Sequence, residues 1–243
     1  MTEISQALIM AAGYATRMRP LTDNLPKPLL KVDGQPMLTH IINHLIAEDV
    51  TKIIVNGYHA LEPLRNYMED IARAYPQCDF ILSEETELLE TGGGAVLANQ
   101  YLTPDEPFYM INGDAYWINH IKETSLGELS QKWTASKYDI LLLLQSCASM
   151  AMTEAIGDYD IKDGFATRLI NKSGEYMFTG VRVCMPYVLE KYNIEKFSFL
   201  KMMDDTESKN RLGGVNHNGE WYHISIPSDL DEVNDVLCKV KRA

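Results

Sequence analysis

The chain has 243 residues, 46% of them hydrophobic and 23% charged, with a formal net charge of -12 at pH 7. A chain of this length buries roughly 70–75% of its unfolded surface, enough for one large core or a core with a small lobe. The acidic balance excludes nucleic acid and anionic membrane surfaces as general partners, because both demand a broad basic face.

The first predicted element is a buried strand, Ala7 to Met10, running into Ala11-Ala12-Gly13. Arg17, Arg19, Lys27 and Lys31 follow, a local basic cluster in an acidic chain. Backbone N–H groups of a glycine-bearing loop and nearby fixed cations hold polyphosphates, so this stretch predicts a pocket for a small phosphorylated ligand. A helix over Met37 to Glu48 presents Leu38, Ile41, Ile42 and Leu45 on one face. The strand Lys52 to Asn56, the helix Leu61 to Ala74 and the strand Asp79 to Ser83 come next.

Ser83 to Gly94 then forms a loop ending in Thr91-Gly92-Gly93-Gly94, ahead of a helix over Gly94 to Tyr101. Three glycines there permit close backbone approach to a ligand and expose N–H groups at the helix start, with Thr91 as an alternative helix cap. Glu84 and Glu85 stand at the loop's beginning. The apolar strand Phe108 to Asn112 ends in Asn112-Gly113-Asp114. An aspartate at the carboxyl end of a strand in an α/β sheet is placed to bind Mg²⁺, or simply to make a turn.

A helix over Ser125 to Trp133 and a strand over Tyr138 to Leu144 follow, and the alternation breaks near Ala148 to Asp163. Beyond it the readable elements are the strands Phe178 to Val183 and Gly214 to His217 and a closing helix, Asp229 to Lys239. Strands and helices in alternation predict an α/β layer fold. The four cysteines, Cys78, Cys147, Cys184 and Cys238, are widely spaced and fit neither a zinc site nor a disulfide framework. No signal peptide or membrane span is readable, so a cytoplasmic protein is expected.

The ordered string of strand, A-A-G, R-M-R-P-L-T and P-K-P-L over residues 7–29 resembles the start of the sugar-1-phosphate nucleotidylyltransferases. S-x-E-T-E-x-L-x-T-G-G-G over 83–94 and N-G-D over 112–114 are similar to the same family's nucleoside-binding and metal-binding segments. Gly157-Asp158-Tyr159 adds a likeness to its single-domain N-acetylmuramate-1-phosphate uridylyltransferase members, beside the mannose-1-phosphate guanylyltransferase-like ones. The resemblance implies a three-layer αβα sandwich with a mixed, mainly parallel sheet. It also implies one domain over 1–243, in which residues 1–145 bind nucleotide and 146–243 supply sugar-binding elements and the closing helix.

The implied partners are a nucleoside triphosphate, UTP first, and a sugar-1-phosphate, with the protein a monomer or homodimer. The implied reaction is an in-line displacement that releases pyrophosphate. Arg17, Lys27 and Asp114 are then catalytic: Arg17 on the leaving phosphates, Lys27 on the α-phosphoryl and attacking groups, Asp114 on Mg²⁺. Ala11, Ala12, Gly13, Arg17, Thr91, Gly92 and Gly93 are expected to bind nucleotide, and Asn112, Thr179, Gly180 and Lys172 the sugar phosphate.

Three departures stand out. Ala15 replaces a second loop glycine, and Asn171 precedes Lys172 where several relatives have glutamate. Trp221-Tyr222-His223-Ile224-Ser225-Ile226-Pro227 is similar to W-[FY]-D-[IV]-G-T-P, with His223 where an aspartate completes the family's metal pair. With His223 in the metal set, Mn²⁺ or Co²⁺ joins Mg²⁺ as an expected cofactor. Alternatively the site works with Asp114 and phosphates alone, or turnover is impaired; the alternative functions are a mannose-1-phosphate guanylyltransferase, a cytidylyltransferase for an alcohol phosphate, or a non-catalytic sugar-nucleotide binder.

Overall fold

The computed structural model describes residues 3–119, 123–150 and 156–240. In chain order the strands are β1 (Gln6–Met10), β2 (Lys31–Val32), β3 (Gln35–Pro36), β4 (Lys52–Gly57), β5 (Asp79–Glu84), β6 (Phe108–Asn112) and β7 (Tyr116–Ile118). They continue with β8 (Ile140–Ser146), β9 (Tyr159–Lys162), β10 (Phe165–Arg168), β11 (Tyr176–Cys184), β12 (Leu212–His217) and β13 (Glu220–Tyr222). The helices are α1 (Met37–Ile46), α2 (Leu61–Ala74), α3 (Glu90–Ala98), α4 (Ser125–Lys132), α5 (Leu200–Glu207) and α6 (Pro227–Val240).

Among the described residues a nine-stranded sheet has the order β5-β4-β1-β6-β11-β8-β12-β10-β9. The strands from the first half of the chain are parallel, while β11 pairs antiparallel with both β6 and β8. This is the expected αβα sandwich with a mixed sheet. Strand β1 is buried at every position because sheet neighbours flank it and helices cover it, which is why it reads as an unbroken apolar run rather than an alternation. Leu38, Ile41, Ile42 and Leu45 of α1 are fully buried, each contributing about 1.5–3 kcal/mol of gross burial energy.

Several boundaries differ from the sequence expectation. The three glycines lie inside α3 rather than before it, and the residue at its N-cap is Leu89, not Thr91. Close packing explains the glycines: a Cβ at Gly93 would lie 1.9 Å from the Glu195 carbonyl oxygen, and one at Gly92 2.5 Å from the Phe197 ring. The short strands β2, β3, β7, β9, β10 and β13 and the helix α5 were not readable. Of the break at 148–163, residues 151–155 lie outside the described residues. No helix among the described residues is long and apolar enough to cross a membrane, and the four cysteines are free thiols.

Two topological features place the site. Chain order reverses at β1, with β4 on one side and β6 on the other, and the register aligns Met10 with both Asn56 and Asn112 at the carboxyl ends. Ligands of open α/β sheets gather in the crevice outside such a switch point. The ribbon of β7 with β13 pairs Trp117 with Trp221, and so brings the segment after Asp114 beside the one carrying His223.

Candidate active site

Above the carboxyl ends of β1, β4 and β6 lies a cavity of about 390 Å³. Ala11, Ala12, Gly13, Arg17, Lys27, Thr91, Asn112 and Asp114 all line it. Asn56 ties its walls together: its Oδ1 accepts from the Ala11 N–H at 2.6 Å and its Nδ2 donates to Glu85 Oε1 at 2.6 Å. Glu85 Oε2 accepts in turn from the Leu89 N–H at 2.9 Å. Glu85 is therefore a buried clamp of this loop, and burial raises its pKa. Glu84 instead pairs with Arg65, 2.5 Å away, at the surface.

The loop after β1 owes its shape to two anchors. Met18 is buried in a second apolar cluster, and the buried Thr22 hydroxyl donates to the Ala15 carbonyl at 3.0 Å. Ahead of both anchors, Ala15 adopts a left-handed conformation, φ 45°, which costs a non-glycine residue about 1–2 kcal/mol. Gly13 has neither a positive φ nor any atom within 4 Å of where a Cβ would stand, so open space lies beside it. Arg17 lines the cavity, whereas Arg19 pairs with Asp23 and Lys31 is exposed elsewhere.

Lys27 is buried, and its Nζ donates to Asp114 Oδ2 at 2.7 Å and to the Ile224 carbonyl at 2.5 Å. Asp229 holds the turn that presents this carbonyl, accepting from the Ser225 and Ile226 N–H groups at 2.7 and 3.0 Å. His223 is exposed, with Nε2 2.6 Å from the Ser225 hydroxyl. Its pKa lies below the ordinary histidine value, first through desolvation and next through the charge of Lys27. Asp114 and Asp229 oppose that shift, so the imidazole sits within the field of the Lys27–Asp114 pair.

As a metal site this arrangement is sparse. Among the described residues no three His, Cys, Asp or Glu groups are gathered for a metal ion. Mg²⁺ nonetheless binds through one or two carboxylates together with substrate phosphates. The Asp114 carboxylate, 45% exposed, is such a donor, so the residues present fit Mg²⁺ in company with phosphates.

A second cavity of about 360 Å³ adjoins the first, and Thr91 and Asn112 line both. The buried Asn112 Oδ1 has no hydrogen-bond partner. Lys172 is exposed on the rim of this cavity. Thr179 and Gly180 line neither cavity: the Thr179 hydroxyl donates to the Leu143 carbonyl, and Gly180, φ 82°, packs at the Asn112 side chain. Gly92 and Gly93 are likewise set against the backbone of residues 195–197. Asn56, Glu90, Ser225 and Arg182 are cavity residues that the sequence reading missed. Arg182, alone between valines in an otherwise apolar strand, carried a readable signal.

The nucleotidyl transferase family model matches residues 6–145. The chain is 30% identical over 229 residues to the N-acetylmuramate alpha-1-phosphate uridylyltransferase of Caulobacter vibrioides, covering 91% of this chain and 92% of that protein. It is 26% identical to the mannose-1-phosphate guanyltransferase of Gibberella zeae, where it spans only 62% of the relative's length. In fold it is similar to UDP-glucose pyrophosphorylase complexed with UDP-glucose, with a TM-score of 0.78 over 97% of this chain and 99% of that one at 16% identity. With a family model over more than half of its length and a relative of this identity along nearly all of it, the chain belongs to the nucleotidyl transferase family and is a sugar-phosphate nucleotidylyltransferase.

Proposed function

We propose that the enzyme transfers a uridylyl group from UTP to N-acetylmuramate-1-phosphate, releasing pyrophosphate. The observation that carries this reading is the junction of the two cavities at Thr91 and Asn112, with the Lys27–Asp114 pair at the edge of the first. A nucleotide in one cavity and a sugar in the other meet beside that pair. The relative from Caulobacter vibrioides supplies the choice of base and sugar.

The attacking sugar phosphate is already an anion, so the reaction needs no strong base; positioning and charge neutralisation supply the catalysis. Gly13 leaves room for the triphosphate to approach the loop backbone. Arg17 neutralises the leaving phosphates. Lys27, held at fixed height by the Ile224 carbonyl, faces the α-phosphoryl group and the attacking phosphate. Asn112 offers its free carbonyl to a sugar hydroxyl, and Lys172 reaches the sugar from the rim of the second cavity. Asp114 would hold Mg²⁺, with His223 as a second donor through Nδ1; when bound, the ion adds positive charge beside the reacting phosphates.

A grid of nucleoside triphosphates against sugar phosphates, read as pyrophosphate release with Mg²⁺, Mn²⁺ and Co²⁺, tests the proposal. UTP with N-acetylmuramate-1-phosphate should give the highest kcat/KM. A higher value for GTP with mannose-1-phosphate would transfer the assignment to the other relatives' activity.

A further inference from the structure

Arg182 sits in the middle of β11 with 2% of its surface exposed, yet it lines the second cavity. Its Nε and Nη2 have no hydrogen-bond partner, and among the described residues it forms no ion pair. The polar groups acting on it are the Cys184 thiol and the Tyr159 phenol, and burial pushes the ionisation of both upward, so neither supplies a counter-charge near neutral pH. Phe199 and Phe178 face the guanidinium at 4.4 and 5.3 Å. Cation–π contacts offset only part of the cost of burying an unpaired charge. An anion entering the cavity would supply the partner that this guanidinium lacks.

We infer that the second cavity is a subsite for the carboxylate of an acidic sugar phosphate, and that Arg182 is the residue that reads it. The inference rests on the sugar-phosphate reading above and adds a specificity determinant to it. The anion at Arg182 is distinct from the reacting phosphate. Lys27 and Asp114, where that phosphate must lie, line only the first cavity, and Arg182 lines only the second.

A carboxylate fits the free atoms. Nε and Nη2 form the side-on fork of a guanidinium, which accommodates a planar carboxylate through two parallel bonds. The same cavity contains a worked case: Arg168 uses these two atoms to hold Asp204 at 2.8 Å each. That pairing also leaves Arg168 occupied. Asp158 also lines the cavity and forms no ion pair with Arg182. Ile170, 83% exposed at the rim, adds an apolar wall for the aliphatic part of such a substituent.

The test compares three acceptors with UTP: N-acetylmuramate-1-phosphate, the same molecule with its carboxylate converted to a carboxamide, and N-acetylglucosamine-1-phosphate. Ratios of kcat/KM between acceptors are independent of the fraction of active enzyme, so a partly folded variant still reports. The wild type should prefer the acid over its carboxamide by roughly 10- to 100-fold, the range for a hydrogen-bonded charge contact, mainly through KM. In Arg182→Met that ratio should fall close to one. Arg182→Lys, which keeps the charge and loses the fork, should retain part of it and decides the matter if the methionine variant does not fold.

A wild type that treats acid and carboxamide alike overturns the inference, and so does a preference that survives in Arg182→Met. Release of pyrophosphate with N-acetylglucosamine-1-phosphate but not with the acid overturns the subsite while leaving nucleotidyl transfer intact. Silence with every acceptor overturns the inference together with the uridylyl-transfer reading it rests on.

Discussion

Lys27→Met removes one charge and keeps most of the apolar stem. Lys27 is only 8% exposed, so water does not take over its contact with the Ile224 carbonyl. The buried Ile224 carbonyl loses a donor at 2.5 Å, which costs about 1–3 kcal/mol because the acceptor is left unpaired. Asp114 loses its partner at 2.7 Å, but its side chain is 45% exposed and regains solvent, so that part of the stability cost is small. The fold should therefore survive with a lower urea midpoint. Catalysis should suffer far more, because a preorganised cation beside a rearranging phosphate acts mainly in the transition state. Removing one such contact costs about 10²–10³-fold in kcat, or about 2.7–4 kcal/mol.

Steady-state pyrophosphate release with saturating UTP measures this, and a double-mutant cycle with Asp114→Asn divides the effect. If Lys27 also touches phosphate, the double variant should be slower than Asp114→Asn alone. A variant in which only the apparent KM for the triphosphate rises, with kcat unchanged, would refute the transition-state role.

Gly13→Val should fold normally, since open space surrounds the missing Cβ, and should weaken triphosphate binding at least tenfold or so by filling the approach to the loop backbone; titration of nucleotide against intrinsic fluorescence checks both points. Gly93→Ala runs against helix propensity. Alanine should gain about 1 kcal/mol in the helix, but the Glu195 carbonyl lies 1.9 Å from the new atom, so a net loss of about 1–3 kcal/mol is expected in chemical denaturation; a raised midpoint would contradict the packing account. His44 stacks on Trp117, and burial lowers its pKa to about 4. Below pH ~6.5 the unfolded chain takes up the proton first, so stability should decline from there to about pH 4 by roughly 3 kcal/mol in all; His44→Gln should flatten this decline in urea titrations at several pH values. His223→Asp adds a second carboxylate beside Asp114 and should lower the Mg²⁺ concentration needed for half-maximal rate; identical Mg²⁺ titrations of variant and wild type would place His223 outside the coordination sphere.

Elements whose signal lies in neighbouring side chains were readable directly. The buried strand β1, the amphipathic helix α1, the cations after Ala-Ala-Gly and the aspartate ending β6 follow from local periodicity and from chemistry carried on a few adjacent residues. The family resemblance rests on the same short strings, so the sequence alone was enough for fold class and reaction type. Spacing alone does not separate Arg17, which lines the cavity, from Arg19, which pairs with Asp23 at the surface; the resemblance singled out Arg17. The two cations flank Met18, which is buried.

The glycine triplet shows the limit more plainly. Glycine has no side chain to mark its partner, and what requires it at 92 and 93 is backbone at 195–197, about a hundred residues away. A loop opened for phosphate and a helix pressed on distant backbone look alike in one dimension. Arg182 is the counterpart among charged residues. Its position in an apolar strand was visible, but its burial and its unpaired guanidinium arise only when Phe178 and Phe199 close around it. Tertiary structure decided these points because desolvation and hydrogen-bond satisfaction are properties of a packed environment, and segments far apart in the chain build that environment together.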